Sequence, residues 1–442
     1  MKSACFVVQS VYDFDPRVRR KAEALVANGY SVDVLALRAP HGKKSYLLNG
    51  VNVHTVSLGK QRGSLARYFF EYATFFLWTF YRIPWQMLRK RYAVIDVNSL
   101  PDFLIFAPIV ARWMGAKLAL DLHEITPEFF MSQYRVAENT WTIRLLKYLE
   151  KISVRFADRV ITINDPIADL LVGRGLSRSK STVVMNAVDE RRFAASLSPS
   201  AALEPRDPKK FVMMYHGTLT SIYGLDIAIE AFALAHKDMP GAELWILGSG
   251  TEKAALTNLA QERGLASKVN LIGQVAATEI PAWLNRCDAG ILPIRRDVFL
   301  DFAFPNKLPE FIITGKAVIV ARLKAIRHYF SEDALVYFEP NNPVDLAKQM
   351  VRAYQDPPLR SRLALKAREE YAPICWDVMK QRYLAVIDEL IHPGRQAVED
   401  LSATKITPSA DDHGSPIGLQ PPSVDSLSGI ERFRKGPELE RQ

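Results

Sequence analysis

The sequence has few cysteines and no long hydrophobic run. Its three cysteines, Cys5, Cys287 and Cys375, lie far apart in 442 residues and have no spacing typical of metal ligands. This pattern argues against a disulfide framework or a zinc site, and it fits a reducing compartment. No run of about 18 uncharged apolar residues occurs, so we expect no membrane-spanning helix. The apolar run at the N-terminus is too short for a signal peptide.

Acidic residues are scarce in the first half of the chain. Residues 1–192 hold 28 Lys and Arg against 17 Asp and Glu, whereas the remainder holds 29 against 31. The first half is therefore expected to meet something anionic, such as phosphate or a membrane surface. Nucleic acid is not an expected partner, because no zinc-finger, helix-turn-helix or ribonucleoprotein pattern is present.

Short apolar segments alternate with helical patterns along most of the chain. Predicted strands are residues 4–8, 30–37, 51–57, 92–97, 117–122, 159–163, 182–185, 211–215, 243–247, 269–272, 289–292, 317–320 and 336–338. Predicted helices include residues 15–28, 103–114, 140–157, 166–173, 224–236, 252–263, 345–371 and 376–391. This alternation predicts an α/β protein with two Rossmann-like, doubly wound parallel-sheet domains that face a central cleft.

Composition also predicts the domain boundaries. Residues 193–209 are rich in turn formers and are predicted to link a domain of residues 1–192 to a domain of residues 210–373. Residues 374–392 are predicted to form a closing helix. Residues 393–442 are rich in Pro, Ser, Gly and charge, which predicts a disordered tail.

A lysine and a glutamate stand three residues apart after a Pro–Asn pair. On a helix, Lys307 and Glu310 project from one face, and Gly315 marks the end of that helix. Beneath a parallel sheet, a cation suits phosphate and a carboxylate suits ribose hydroxyls. The alternative is an ordinary exposed ion pair, which is the favoured interpretation of a lone Lys-x-x-Glu. Only other features of the chain favour the nucleotide-binding interpretation.

Five stretches in a fixed order resemble a known family. They are Asp15-Pro16-Arg17 with Gly29-Tyr30, Leu100-Pro101-Asp102-Phe103 with Asp121-Leu122-His123-Glu124, Asn186-Ala187-Val188-Asp189, His216-Gly217-Thr218 with Tyr223-Gly224, and Phe304-Pro305-Asn306-Lys307 with Glu310. Over roughly residues 3–390 the chain resembles the retaining group 1 (family 4) glycosyltransferases, which have the GT-B fold. The resemblance implies transfer of a hexose from a nucleoside diphosphate sugar to a glycan or polyprenyl-linked acceptor, in bacterial exopolysaccharide or envelope glycan synthesis. The nucleotide sugar is then a co-substrate, and neither a cofactor nor a metal is expected.

By the same resemblance, the second domain binds the donor. Glu310 matches the second of two family glutamates, the one that holds the ribose, and Lys307 precedes it as usual. The first glutamate falls on Phe302, and the adjacent Asp301 is its candidate replacement. The predicted donor-binding residues are Gly217, Thr218, Tyr223, Gly248, Gly250, Gly273, Asp301, Phe304, Asn306, Lys307 and Glu310. For Gly248 and Gly250, a plain tight turn is the favoured alternative.

Two positions depart from the family pattern. Many relatives carry Arg and Lys where this chain has Thr218 and Tyr223, and both clamp the diphosphate as charge builds on the leaving group. Either backbone N–H groups at Gly217 and Thr218, the helix start at Gly224 and Lys307 compensate, or turnover is weak. Arg295 and Arg296 lie in a nearby loop. They either provide additional positive charge for the diphosphate or belong to the solvated surface.

The first domain is expected to bind the acceptor. His123 follows a predicted strand, and the matching family histidine lies beside the donor sugar and is implicated in catalysis. The predicted catalytic residues are therefore His123, Lys307 and Glu310. The predicted acceptor-binding residues are Asp15, Arg17, Asp102 and Glu124, although Asp15 equally fits a helix cap.

Residues 60–92 hold eleven aromatic residues and seven basic residues against one acidic residue. A helix of this kind lies in the headgroup layer of an anionic membrane. Two core-packing helices with a basic solvent edge are the alternative. The first interpretation predicts a cytoplasmic protein that is peripheral on the inner face of the plasma membrane, with a lipid-linked acceptor.

Two other functions stay open. One is a sugar-nucleotide epimerase on the same two-domain plan, which would interconvert sugar nucleotides without an acceptor. The other is a catalytically weak glycosyltransferase-like subunit that binds and organises partners, and Thr218 and Tyr223 motivate it.

Overall fold

The computed structural model describes residues 2–58, 65–195, 207 and 209–392. These residues belong to one compact unit and form two α/β domains. Most of the predicted linker of residues 193–209 and all of the predicted tail of residues 393–442 lie outside the described residues.

The first domain is built on a sheet with eight described strands. They are β1 (Ser3–Val11), β2 (Ser31–Leu37), β3 (Ser45–Leu48), β4 (Val51–Val56), β5 (Val94–Asn98), β6 (Lys117–Leu122), β7 (Arg159–Thr162) and β8 (Ser181–Val183). Their order is β3-β4-β2-β1-β5-β6-β7-β8. All neighbours are parallel except β3, an edge strand that pairs antiparallel with β4 and was not predicted.

The helices of the first domain cover both faces of this sheet. They are α1 (Pro16–Ala27), α2 (Leu65–Met87), α3 (Ile109–Trp113), α4 (Thr126–Tyr134), α5 (Trp141–Phe156), α6 (Asp165–Gly173) and α7 (Glu190–Ala195). Side chains of α2, α3, α5 and α6 share one buried cluster with β1 and β5, so these four helices lie on the same face. Helix α1 packs on the opposite face.

Three helical features of this domain differ from what the sequence suggested. The predicted helix of residues 103–114 is a 3-10 segment, Asp102–Phe106, followed by α3. Pro108 separates them, because it has no N–H to donate and its ring disfavours a continuous helix. Helix α4 was not predicted, because its apolar residues do not follow a helical period. Residues 65–87 form the single helix α2 with Pro84 inside, rather than two helices.

The second domain has six described strands, and all are parallel. They are β9 (Phe211–His216), β10 (Ala242–Leu247), β11 (Val269–Gly273), β12 (Ala289–Leu292), β13 (Ala317–Ala321) and β14 (Val336–Phe338), in the order β11-β10-β9-β12-β13-β14. Every residue of β13 is buried. Helices cover both faces, which explains why such strands read as unbroken apolar runs.

The helices of this half of the chain include two where one was predicted. They are α8 (Leu225–Ala235), α9 (Lys253–Glu262), α10 (Ile280–Asn285), α11 (Lys307–Ile313), α12 (Lys324–Tyr329), α13 (Pro343–Gln355), α14 (Pro357–Tyr371) and α15 (Trp376–Ile391). The predicted helix of residues 345–371 is divided into α13 and α14. Asp356 ends the first and caps the second by accepting a hydrogen bond from the Leu359 N–H.

The last helix returns to the first domain. The Tyr383 hydroxyl of α15 donates to Asp96 of β5 at 2.7 Å. The backbone N–H of Met185, just after β8, donates to the Met379 sulfur. Helix α15 also packs against α1. The two domains therefore share one continuous core at this end of the molecule.

Candidate active site

A cleft of about 360 Å³ opens at the carboxyl ends of β9, β10 and β11. Ligands bind at this end of the strands in open parallel sheets. Of the predicted donor-binding residues, Gly217, Thr218 and Gly248 line it. Gln274 and Ile280 line it as well. These two were not predicted as site residues, although Gln274 directly follows the predicted Gly273.

Two glycines let the loops after β9 and β10 approach each other. The backbone of Gly217 has φ +130°, and that of Gly248 has φ +137°, which L side chains rarely adopt. A Cβ at Gly248 would lie 1.8 Å from the Gly217 carbonyl oxygen, and one at Gly250 would lie 2.1 Å from the Leu219 carbonyl oxygen. The Gly248 N–H donates to the Gly273 carbonyl at 2.7 Å. Gly248 and Gly250 are therefore needed for the close packing of the two loops, as well as for a tight turn.

Lys307 stands at the start of α11, beside these loops. Its Nζ lies 4.4 Å from the ring centroid of Tyr223 and 5.4 Å from that of Tyr215. Burial lowers the pKa of Lys307 to about 8, although Glu310 opposes this. Among the described residues, no carboxylate lies within ion-pair distance of Nζ. Tyr223 therefore places an aromatic face against the cation, where the family pattern has a second lysine.

Glu310 lies one turn further along α11. Burial raises the pKa of Glu310 to about 7, and the charges of Lys307 and Arg20 offset part of that rise. The Nε2 atom of His216 is 3.2 Å from its Oε2, without the alignment of a hydrogen bond. Burial lowers the pKa of His216 to about 3, so the imidazole is neutral. Neither His216 nor Arg20 was predicted, although His216 immediately precedes Gly217.

His123 directly follows β6 in the first domain and is buried. Its Nε2 is 2.9 Å from Oδ1 of Asn98, an atom that only accepts, so the proton belongs on Nε2. Burial lowers the pKa of His123 to about 4, while Asp121 opposes this. The unprotonated Nδ1 is buried and has no hydrogen-bond partner among the described residues. This atom can accept a hydrogen bond from a ligand hydroxyl.

Asp15 and Arg17 form a unit at the start of α1. The Asp15 carboxylate accepts from the Arg17 backbone N–H at 3.2 Å and from its Nε at 3.0 Å. Burial alone would raise the pKa of Asp15, but Arg17 lowers it to about 2. Asp15 therefore caps the helix and holds Arg17. Arg17, which is also influenced by the charge of Glu124, is the better placed of the pair to meet an anionic acceptor.

Asp102 is placed differently from the prediction. Its carboxylate accepts from the Thr126 hydroxyl at 2.9 Å. It also lines a small apolar cavity with Phe103 and Phe130. Burial raises the pKa of Asp102 to about 7. Asp102 is thus a buried structural group rather than an open ligand for sugar hydroxyls.

Of three further predicted donor-binding residues, Asp301 and Phe304 contact neighbouring elements. The Asp301 carboxylate accepts from the Lys324 N–H at 2.9 Å and lies 3.5 Å from Arg296. It therefore binds the start of α12 rather than replacing the missing glutamate in the cleft. The Phe304 ring packs against Tyr329 and Phe330. Asn306 occupies the N-cap position of α11 without a side-chain cap bond.

Acidic residues near the cleft do not form a metal site among the described residues. Asp13 and Asp15 have Asp-x-Asp spacing, but the Tyr46 hydroxyl donates to Asp13 at 2.9 Å and Arg17 pairs with Asp15. In the described ranges, no group of three or more His, Cys, Asp or Glu side chains is arranged to hold a metal ion.

Two families match this sequence. Residues 15–187 match the glycosyl transferase 4-like domain. Residues 201–370 match the glycosyl transferases group 1. The two matches follow the two sheets, one on each domain.

Curated relatives are similar over part of the chain. Glycogen synthase of Mycobacterium tuberculosis is 28% identical over 232 residues, which cover 51% of this chain and 52% of that protein. The chain thus spans about half the length of this relative. N,N'-diacetylbacillosaminyl-diphospho-undecaprenol alpha-1,3-N-acetylgalactosaminyltransferase of Campylobacter jejuni is 24% identical, over 65% of this chain and 74% of its own length.

Solved structures share the fold over nearly their whole length. Sucrose-phosphate synthase from Thermosynechococcus elongatus superposes with a TM-score of 0.70 at 17% identity, over 88% of this chain and 99% of that one. HepE of Anabaena in complex with UDP superposes with a TM-score of 0.64 at 16% identity, over 88% of this chain and 100% of that one. At these identities the comparison establishes the two-domain fold.

Proposed function

The chain belongs to the group 1 glycosyltransferases with the GT-B fold, and on that basis we propose that it transfers a hexose from a nucleoside diphosphate sugar to a glycan or lipid-linked acceptor with anomeric retention, in bacterial exopolysaccharide or envelope glycan synthesis. The observation that carries the proposal is Lys307. It is a half-buried lysine beside the cleft, burial lowers its pKa, and no carboxylate of the described residues lies within ion-pair distance of its Nζ. Such a cation is stabilised by an anionic ligand.

The donor diphosphate is proposed to lie beside Lys307. The loops after β9 and β10 meet without side chains at Gly217 and Gly248, so their backbone can approach the phosphates. Helix α11 has only seven residues, so the lysine rather than the helix dipole supplies most of the positive charge. The HepE structure contains UDP, which makes UDP-sugars the first donors to test.

Different side chains are proposed to bind the leaving group, the ribose and the transferred sugar. Lys307 neutralises the negative charge that grows on the departing diphosphate. The Glu310 carboxylate, when ionised, accepts hydrogen bonds from the ribose. His123 accepts a hydrogen bond from a sugar hydroxyl through Nδ1, because Asn98 fixes the proton on the other nitrogen. No side chain is assigned as a covalent nucleophile.

The acceptor is proposed to enter from the first domain. The negative charge of Glu124 acts on both Arg17 and the Tyr223 hydroxyl of the second domain, so the three side chains lie near one another. These side chains therefore border the space between the domains. The name of the Campylobacter relative specifies a diphospho-undecaprenol acceptor, which supports testing polyprenyl diphosphate glycans.

Nucleotide release from a panel of sugar nucleotides, with and without acceptor, tests the proposal. We expect release that depends on acceptor and falls by about 10–100-fold in Glu310→Ala, since hydrogen bonds to a charged group contribute roughly 1.5–3 kcal/mol. Glu262→Ala, an exposed glutamate of the same domain, is the matched control. Interconversion of sugar nucleotides without acceptor would instead support the epimerase. No turnover with any donor would support the weak binding subunit.

A further inference from the structure

Helix α2 presents a continuous apolar stripe to solvent. Its exposed large side chains are Phe70, Leu77, Tyr81 and Trp85, and Leu88 follows at the helix end. Their spacings of seven, four, four and three residues place all of them on a single side of the helix. The opposite side, with Phe75 and Ile83, packs into the core. Helix α2 therefore both packs on the sheet and leaves a second apolar side uncovered.

Two neighbouring helices extend this surface. Trp141, Leu145 and Tyr148 are exposed at positions i, i+4 and i+7 of α5, and Trp113 is exposed at the end of α3. Helices α2, α3 and α5 lie on the same face of the first sheet. Among the described residues, the three exposed tryptophans, Trp85, Trp113 and Trp141, all belong to this surface. We call it the aromatic face, defined by α2 from Phe70 to Leu88, Trp113, and α5 from Trp141 to Tyr148.

Positive charge borders the aromatic face. Residues 65–91 and 141–156 together hold nine basic and two acidic residues. Both acidic residues, Glu71 and Glu150, are buried. The basic residues without an ion pair among the described residues are Arg82, Arg89, Arg91, Arg144, Lys151 and Arg155. The Arg89 guanidinium stacks on the Trp85 ring at 5.0 Å, so cation and aromatic ring are presented together.

We propose that the aromatic face docks the first domain onto the surface of an anionic lipid bilayer. Amphipathic aromatic rings favour the headgroup layer, and the surrounding Arg and Lys side chains are attracted to anionic lipids. No helix in the described part of the chain has the length and apolar character to cross a bilayer, so docking occurs parallel to the surface. The surface assigned here includes α5 and Trp113, beyond the segment of residues 60–92 that the sequence suggested.

Charge distinguishes a bilayer from a second copy of the chain. A two-fold symmetric dimer through this face would bring like charges together, because each subunit contributes the same surface. That arrangement is unfavourable for six unpaired cations. An anionic bilayer instead satisfies the cations and the apolar side chains at once. Docking does not depend on the proposed transfer reaction.

Flotation with vesicles tests the proposal directly. We expect the full chain to float at least ten-fold more with phosphatidylcholine vesicles that contain phosphatidylglycerol than with phosphatidylcholine alone, and to dissociate as salt is raised. Brominated lipids should quench tryptophan fluorescence, with less quenching in Trp85→Phe. Absence of flotation with the anionic vesicles would overturn the proposal.

Two sets of variants locate the docking surface. The triple variant Tyr81→Ser, Trp85→Ser and Leu88→Ser should lose flotation, and Arg89→Ala with Arg91→Ala should lower it by at least ten-fold. Matched controls on the second domain are Leu234→Ser with Leu365→Ser, and Arg362→Ala with Arg368→Ala, all exposed. Circular dichroism checks the fold of each variant. If the controls lose flotation equally, or if the same residues instead maintain a stable dimer in solution, the proposal is wrong.

Discussion

The position of Lys307 beside the cleft depends on two tyrosine rings and on a glycine. The rings of Tyr215 and Tyr223 face its ammonium. A Cβ at Gly217 would lie 2.1 Å from its Cε, so only glycine leaves it this space. The departure from the family pattern at Tyr223 therefore changes how one cation is positioned, and the remaining lysine is half-buried against two aromatic rings. A partly desolvated ammonium without an ion-pair partner among the described residues favours an anionic ligand.

The two ionisable groups of α11 predict a narrow pH optimum for donor binding. Burial raises the pKa of Glu310 to about 7 and lowers the pKa of Lys307 to about 8. Binding needs an ionised Glu310, which is lost as pH falls through its pKa, and a protonated Lys307, which is lost as pH rises through its pKa. We expect kcat/KM for the donor to follow a bell between these values. Steady-state kinetics across pH measures it.

The variant Lys307→Arg separates the two limbs. Arginine stays protonated throughout this range, so the alkaline limb should disappear while the acid limb remains. Lys316→Arg, at the end of the same helix, is the control and should keep both limbs. An alkaline limb that persists unchanged in Lys307→Arg would assign it to another group.

At the scale of elements, the buried parallel strands were predictable from the sequence, whereas the edge strand β3 and the helix break at Pro108 were not. Strands β6, β12 and β14 have the predicted bounds, because buried parallel strands bounded by turn residues give a plain apolar run. The break at Pro108 was missed, since apolar periodicity continues across it. The edge strand β3 alternates exposed and half-buried residues, so it lacks the apolar run by which the other strands were identified.

The contacts of the site were less predictable than its elements. Motifs at strand and helix ends led to the prediction of Lys307, Glu310 and His123 as site residues. Asn98 and His216 were not predicted, because their roles depend on distances to residues on other elements. The Tyr383–Asp96 hydrogen bond joins residues 287 positions apart, and no local pattern marks either partner. Residues such as Asp301 were assigned by position alone, and the structure directs its side chain elsewhere.

Helix α15 is predicted to stabilise the first domain through one buried hydrogen bond. Tyr383→Phe leaves the Asp96 carboxylate without the Tyr383 hydroxyl, and a lost buried partner costs about 1–3 kcal/mol. Burial and Asp121 raise the pKa of Asp96 to about 7. The hydrogen bond from the Tyr383 hydroxyl opposes this rise in pKa, so it stabilises the ionised carboxylate, which is populated as pH rises through about 7. Its loss should therefore cost more near pH 8 than near pH 5. Urea unfolding at both pH values measures it.

Tyr354→Phe is the control for this prediction. Its hydroxyl donates to the Pro240 carbonyl at 2.7 Å on the surface, where water can replace it. We expect a change of stability below about 0.5 kcal/mol at either pH. Equal changes in the free energy of unfolding for the two variants would contradict the prediction that the buried Tyr383–Asp96 hydrogen bond stabilises the packing of α15.

At the scale of the whole molecule, the domains meet at the cleft through a few separate contacts. The Ser132 hydroxyl donates to Asp297 at 2.5 Å, and the rings of Phe129 and Phe299 meet edge to face. At the other end, α15 joins both domains in a continuous core. A shared core at one end and sparse polar contacts at the other favour opening about the α15 end. The aromatic face lies on the first domain alone, so such opening leaves bilayer docking undisturbed.

A disulfide across the cleft tests whether opening is needed for turnover. The Ser132 hydroxyl contacts the Asp297 carboxylate across the two domains, which selects these positions for a cysteine pair. In Ser132→Cys with Asp297→Cys, oxidation should slow turnover at least ten-fold by blocking donor entry and product release. A thiol reductant should restore it. Ser132→Cys alone is the control, and the native Cys5 and Cys287 are buried away from oxidant. Full turnover by the oxidised double variant would contradict this prediction. It would show that donor and product exchange without separation of the two domains at the contact between residues 132 and 297.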